Sequence, residues 1–377
     1  MEMFVACAPG VEAILAREIA AVGLVPKIHS GGVTCSGHDT DIYALNLHLR
    51  TAGRVLVRLG TFEARSFAQL EQNMRTLALG GRVDVHKPLA IRVTCRKSKL
   101  YHTKAVSERI TQALCEELQR DVALTCAPSN LDEDEAPPPT LLVRIENDLC
   151  TISLDTSGAH LHKRGYRALS AKAPIRETLA AALLMMSGYD GTQAFVDPMC
   201  GSGTIAIEAA LIAGDVAPGL GRTFAFEEWP CFDAEAYHRM RARALEHRKS
   251  GVPAIVASDR DSGATQAARV NAERAGVKIE VEQRPLSKTQ PPAATGLLLT
   301  NPPYGARIGD VRALRDLYAA IGNLARGPFA RWTCGLVTPD ENLAHAARGF
   351  TSASPLIAHG GLKIKLYLSP ASTSERP

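Results

Sequence analysis

Short apolar runs alternate with amphipathic ones along the whole chain, and the period of each run predicts its element. Phe4 to Ala8 reads as an apolar strand stopped by Pro9-Gly10, and Val11, Ile14, Leu15 and Ile19 then recur at helical spacing until Gly23. From Asp39, Ile42, Leu45 and Leu49 fit a second helix, and Arg54 to Leu59 alternates like a half-buried strand. The pattern next predicts a helix over Leu70 to Leu79, a turn at Gly80-Gly81, a strand over Leu89 to Thr94 and a helix over Lys104 to Leu118. Strands Leu141 to Glu146 and Leu149 to Leu154 flank an Asn147-Asp148 turn. Between these pieces, Leu131 to Thr140 packs acids and prolines together and reads as a solvated loop.

Near Arg176 the texture changes. Strands at Ala194 to Val196, Ala254 to Ala257, Val277 to Val281, Leu297 to Thr300 and Thr333 to Val337 alternate with helices at Thr204 to Ile212, Gly263 to Ala275 and Val311 to Leu324. That alternation is the mark of a doubly wound parallel sheet. Ser354 to Ala358 and Leu362 to Leu368, joined by Gly360-Gly361, predict an antiparallel hairpin at its edge.

Composition narrows the class. With 377 residues, 46% hydrophobic and 22% charged, the chain can bury two or three cores and is not a disordered polymer. Its longest apolar runs, such as Leu179 to Met186, fall short of the roughly 20 residues of a membrane span, and no signal peptide is read, so a cytoplasmic protein is expected. The nine cysteines form no CxxC pair, which argues against a zinc site and a disulfide framework. Net charge is only +4, so any nucleic-acid argument rests on where the charge sits.

The densest chemistry is F-V-D-P-M-C-G-S-G-T-I-A-I-E at 195 to 208. A strand delivers Asp197, and Gly201 and Gly203 let the backbone turn tightly against a ligand before a helix begins at Thr204. Gly201, Gly203 and Ala206 satisfy G-x-G-x-x-A, but a dinucleotide site wants an acid about twenty residues on, and position 223 is Thr. The next strand instead ends at Asp259, which can hold a nucleoside ribose. Cys200 reads as a small packing residue in the turn, because no histidine lies near it in sequence to activate a nucleophile.

Asn301-Pro302-Pro303-Tyr304 follows the apolar run Gly296 to Thr300, at the strand end where such sheets bind ligands. Proline removes N-H donors, leaving the Asn301 side-chain oxygen and the Pro302 carbonyl as acceptors, and Tyr304 adds a ring. Two acceptors and an aromatic face suit an exocyclic amine on a planar base.

Basic residues gather twice. Arg92, Arg96, Lys97, Lys99, His102 and Lys104 surround Tyr101 without an acid, and His160, His162, Lys163, Arg164, Arg167, Lys172 and Arg176 surround Tyr166. Together they predict a phosphate-binding track, with Arg96, Lys97, Lys99, Lys104, Lys163, Arg164 and Arg167 as its contacts. The basic helix expected over His238 to Lys249 spreads its charge around its circumference and reads as solvation.

D-P-M-C-G-S-G-T, S-D-R-D at 258 to 261 with R-V-N-A-E-R-A-G, and T-N-P-P-Y-G resemble class I S-adenosylmethionine-dependent amino methyltransferases. The opening F-V-A-C-A-P-G-V-E-A-I-L-A-R-E, and L-H-K-R-G-Y-R at 161 to 167 followed by A-P-I-R-E-T-L-A-A-A-L-L, are similar to the THUMP-domain RNA guanine-N2 methyltransferases of the bacterial 23S rRNA and tRNA types. The resemblance implies an α/β architecture. A ferredoxin-like domain at 1 to 65 and a THUMP RNA-binding domain at 66 to 168, both α+β, precede a Rossmann-like methyltransferase domain at 169 to 377 with a seven-stranded mixed sheet.

It also implies S-adenosylmethionine held by Asp197, Pro198, Cys200, Gly201, Ser202, Gly203, Thr204, Asp259, Arg260 and Asn301, with the methionine end against Asp197, Gly201 and Gly203 and the ribose on Asp259. Asn301, Pro302 and Tyr304 would hold the target amine and base. Where the family usually carries an acid near the cofactor's adenine, this chain departs with Glu282-Gln283-Arg284-Pro285, which leaves that contact open and offers Glu282 or Gln283 as weak substitutes. The expectation is a monomer without metal that methylates guanine N2 in ribosomal RNA. The alternatives are tRNA guanine N2, adenine N6 in DNA, a glutamine side-chain amide, and an RNA-binding module with a decayed catalytic domain.

Overall fold

A computed structural model describes residues 1–77, 79, 81–84, 87–117, 124–126, 138–169, 175–304 and 311–371. Most of the expected loop at 131–140, and Lys172, lie outside the described residues.

The first half runs β1 (Glu2–Ala6), α1 (Glu12–Ala21), β2 (Lys27–His29), β3 (Gly32–Ser36), α2 (Asp39–His48), β4 (Arg54–Glu63), α3 (Phe67–Arg75), β5 (Leu89–Arg96), α4 (Thr103–Glu117), β6 (Leu124–Cys126), β7 (Thr140–Glu146) and β8 (Leu149–Asp155). These strands form one sheet in the order β2-β3-β1-β4-β8-β7-β5-β6. The ten-residue β4 joins its two parts, pairing with β1 through Arg54 to Val57 and with β8 from Leu56 to Glu63 across a bulge between Arg58 and Gly60. Alternation decides the buried side. Met3, Val5, Val55, Val57, Val143, Ile145, Ile152 and Leu154 share a core with Leu15, Ile19, Ile42 and Ile110 from the helices. Asn147 and Asp148, at φ 52 and 64, make the tight β7-β8 turn that the sequence predicts.

The second half continues with α5 (Glu177–Met186), β9 (Ala194–Asp197), α6 (Thr204–Ala213), α7 (Ala234–Glu246), β10 (Ile255–Asp259), α8 (Ser262–Ala275), β11 (Glu280–Gln283), β12 (Gly296–Thr300), α9 (Val311–Arg326), β13 (Thr333–Thr338), α10 (Glu341–Ala346), β14 (Ser352–Ala353), β15 (Ile357–His359) and β16 (Leu362–Ser369). The order is β11-β10-β9-β12-β13-β16-β14, with β15 pairing off β16. β11 to β13 are parallel, whereas β16 is antiparallel to β13. The central β9 and β12 are buried at every position, as expected of parallel strands covered by helices on both faces. Among the described residues, no helix is long and apolar enough to cross a membrane.

Three expectations need correction. The strand placed at Val277 to Val281 is instead β11, Glu280–Gln283. Val277 donates its N-H to Ala272 O, completing the turn that ends α8 at Gly276, and so cannot join the sheet. The helix placed at His238 to Lys249 starts earlier, at Ala234, because Asp233 caps it by accepting from Ala236 N at 2.9 Å. The helix placed at Leu70 to Leu79 starts earlier too, at Phe67 after the Ser66 cap, and closes at Arg75.

The two halves are locked together by the segment between α6 and β10. Phe226 stacks on Tyr43 of α2 with ring centroids 4.7 Å apart, and Phe224, Trp229 and Tyr237 enter the core of the first sheet. Val11, at the N-cap of α1, and Ile14 within it reciprocate, packing into the core of the second half with Leu179 and Ile357.

Candidate active site

Three side chains with the right chemistry end three adjacent parallel strands. Asp197 closes β9, Asp259 closes β10, and Asn301 follows β12. β10 and β11 lie on one side of β9 and β12 and β13 on the other, so the chain changes winding direction at β9 and leaves a crevice at the strand ends. A cavity of about 820 Å³ lies elsewhere, lined by Arg17 of α1, His48 of α2, Met185 of α5 and Arg243 of α7. Convergent chemistry, and not volume, marks the strand-end crevice.

Its floor is the glycine turn. Cys200 N donates to Ser258 O at 2.9 Å, Gly201 N to Asp259 Oδ2 at 3.1 Å, and Gly203 N to Cys200 O at 2.8 Å. Gly203, at φ 85, is the N-cap of α6 and offers no side-chain cap. The first-turn amides of α6 therefore receive no side-chain cap from Gly203 and are suited to an anionic group. A Cβ on Gly203 would sit 2.9 Å from Ala268 Cβ, so this position also lets α6 close against α8.

Electrostatics separate the two acids. Burial pushes the Asp197 carboxyl up to about 7, the N-H of Met199 pulls it back, and the nearby Asp259 charge raises it. Asp259 lies at the edge of the crevice, half-buried, with its second oxygen accepting from Asp261 N at 3.0 Å. One acid is thus a buried wall and the other a reachable rim.

The acceptor motif is equally defined. Asn301 Oδ1 is buried and, among the described residues, has no hydrogen-bond partner. Pro302 is buried, and the half-buried Tyr304 ring packs against the cores on both faces of the sheet. A buried carbonyl oxygen without a donor costs stability in the free protein, and a ligand N-H would remove that cost.

Of the other expected cofactor contacts, Pro198, Cys200, Ser202 and Thr204 are buried within the turn, and Arg260 is exposed at its rim. Glu282 and Gln283 end the neighbouring β11, with Gln283 in register with Asp259. The Glu282 carboxylate pairs with Arg284, and Gln283 Nε2 donates to Arg260 O at 3.2 Å. Both side chains are thereby engaged with this rim.

The basic residues divide sharply. Arg96, Lys97, Lys99 and Lys104 are exposed around Tyr101, whose ring is 66% exposed and lies 4.1 Å from that of His102. The loop is held still, because Lys99 N donates to Asp148 Oδ1 at 2.7 Å and Asn147 N to Arg96 O at 3.2 Å. The expected phosphate contacts at Arg164 and Arg167 are corrected. Arg164 is 5% exposed, with its Nε 3.6 Å from Glu208 Oε1 and its Nη1 donating to Leu161 O at 2.7 Å. Arg167 Nε donates to Glu177 Oε1 at 2.9 Å. Both guanidiniums face inward because their acids lie on α5 and α6. Lys163 stays half-buried beside them.

Sequence reasoning quoted Asn271 within a motif but gave it no role. It is 1% exposed on α8 and touches the glycine turn through Ser202 O. The signal was an amide on the apolar face of an amphipathic helix, beside Ala267, Ala268 and Ala272.

Residues 164–363 match the family model described as the RMKL-like methyltransferase domain, and residues 2–56 match that of the RlmL ferredoxin-like domain. A ribosomal RNA large subunit methyltransferase K/L of Syntrophotalea carbinolica is 37% identical over 90% of this chain and 50% of its own length. The chain therefore spans about half the length of that relative. A putative RNA methyltransferase of Bacillus subtilis is 32% identical over 96% of this chain and 94% of its own. The crystal structure of a putative methyltransferase complexed with S-adenosylhomocysteine superposes with a TM-score of 0.89 at 30% identity, covering 99% of both chains.

Proposed function

This chain belongs to the RMKL-like methyltransferase family, and from that premise we propose that it methylates the exocyclic N2 of a guanine in RNA, with ribosomal RNA ahead of tRNA as substrate. The observation that carries the reading is Asn301 Oδ1, a buried acceptor without a partner among the described residues, at the strand ends that also carry the glycine turn and two acids.

The residues present fit S-adenosylmethionine. The uncapped start of α6 suits its carboxylate, Asp197 and the glycine turn its methionine end, and the rim carboxylate of Asp259 its ribose hydroxyls. When bound, the cofactor supplies a methyl group already activated on a sulfonium. What remains for the protein is alignment and charge management.

An exocyclic amine is a weak nucleophile because its lone pair is delocalised into the ring. Asn301 Oδ1 and the Pro302 carbonyl would accept its two hydrogens, turn the lone pair out of conjugation and stabilise the positive charge that develops on nitrogen. Tyr304 would stack on the base. A base must leave its helix to reach such a crevice, which favours looped RNA. The exposed loop at 96–104, with four cations around an exposed aromatic ring, is the contact that would position that RNA.

Asn301→Ala tests the reading. It should lower kcat by about a hundredfold or more, in line with loss of one transition-state hydrogen bond, while weakening S-adenosylhomocysteine far less. Asp259→Ala should do the reverse, weakening S-adenosylhomocysteine in calorimetry. Binding of NADH without any binding of S-adenosylhomocysteine would contradict the assignment.

A further inference from the structure

The link that leads out of the first half, Arg164 to Leu169, is fastened to the glycine turn by side chains that belong to neither the expected cofactor contacts nor the acceptor motif. Asn271 Oδ1 accepts from Ala168 N at 2.9 Å and Leu169 N at 3.2 Å, and its Nδ2 donates to Leu169 O at 2.9 Å and Ser202 O at 3.1 Å. All four hydrogen-bonding positions of the amide are filled, and none of its partners lies in its own helix. Arg167 Nη2 donates to Ile175 O at 2.9 Å and Thr204 Oγ1 at 3.1 Å, while its Nε holds the Glu177 carboxylate. Two strap contacts therefore land on Ser202 and Thr204, on either side of Gly203. Further upstream, Tyr166 OH donates to Glu208 Oε1 at 3.0 Å, five residues along α6 from Gly203.

We infer that this link is a strap that sets the conformation of the glycine turn, with Asn271 and Arg167 as positioning residues for cofactor binding. The inference rests on the reading of that turn as the cofactor cradle. Gly203 is free to adopt many backbone conformations, and α6 has no side-chain cap to fix its start. The backbone bonds of Cys200, Gly201 and Gly203 shape the turn, and side-chain anchors on Ser202 and Thr204 would add to them so that the first-turn amides converge on one point. The strap does so with a filled amide on one side and a planar guanidinium on the other, both partly or fully withdrawn from water. Loosening either side leaves the cofactor to order the turn itself, and its affinity falls accordingly.

The test uses the full chain and S-adenosylhomocysteine as probe. Asn271→Ala removes the whole amide contact, and the milder Arg167→Lys keeps a charge opposite Glu177 but cannot reach Ile175 O and Thr204 Oγ1 together. Tyr166→Phe is the control, since it deletes a bond of the same strap away from the turn. Calorimetry at a temperature where every variant is folded should show Kd raised about tenfold by Asn271→Ala and by Arg167→Lys, the equivalent of one net hydrogen bond, with Tyr166→Phe unchanged despite a lower Tm. Variants that lose Tm yet bind S-adenosylhomocysteine like the wild type would overturn the strap while leaving the cofactor reading intact. A wild-type chain that does not bind S-adenosylhomocysteine would overturn the cofactor reading, and the strap with it.

Discussion

The two basic stretches look alike on paper and behave oppositely in the folded chain. Around Tyr101, Arg96, Lys97, Lys99 and Lys104 point into solvent from a loop pinned at Asp148. Around Tyr166, Arg164 and Arg167 are drawn into the junction by Glu208 and Glu177. Local absence of acid is thus no measure of free charge, because the neutralising groups lie 10 to 44 residues downstream. The first stretch can release counterions from a nucleic acid, and the inward-facing arginines of the second cannot.

The sharpest way to break this contrast is Arg164→Ala. It removes one ion-pair partner of the buried Glu208, leaving it the Tyr166 hydroxyl and the nearby Arg50 charge, and should cost about 3 kcal/mol in denaturant unfolding. RNA binding by the folded fraction should keep its salt dependence. A variant as stable as the wild type, with a shallower salt slope, would return Arg164 to the surface track.

Joint replacement of Arg96, Lys97 and Lys99 by alanine should do the converse. Stability should change by no more than about 0.5 kcal/mol, since Arg96 is exposed and its pair with Glu146 is 3.8 Å long. The slope of log affinity against log salt should fall by about 2 to 3. An unaltered slope would make this loop ordinary solvated surface.

The smallest effect concerns acid. Burial drives the His162 imidazole down to about 3, helped by the charges of His160, Arg176, Arg164 and Lys163. The folded chain holds it neutral, whereas the unfolded chain takes up a proton near pH 6.5. Its contribution is complete above that pH and is lost as pH falls through the window from about 6.5 to 3. His162→Gln should therefore flatten the decline of stability between pH 7 and 5, measured by denaturant titration. The triple variant at 96, 97 and 99 should keep the full decline.

The contrast also explains what was legible in advance. Asp197, Asp259 and Asn301 could be read because each directly follows an apolar run, and a parallel sheet brings strand ends together whatever the loops do. The β15-β16 edge hairpin was readable from Gly360-Gly361 for the same local reason. The β2-β3 hairpin escaped because all three residues of β2 are exposed and carry no period. The role of Asn271 and the inward turn of Arg164 escaped because their partners are distant in sequence, at Ala168, Ser202 and Glu208.

The central claim is that a buried acceptor at Asn301 serves the amine of an RNA guanine. It is tested most directly by incubating the protein and labelled S-adenosylmethionine with unmodified ribosomal RNA, tRNA and DNA, then digesting each to nucleosides. The account predicts N2-methylguanosine from RNA, strongest from ribosomal RNA and abolished by Asn301→Ala. N6-methyladenine from DNA alone would contradict it.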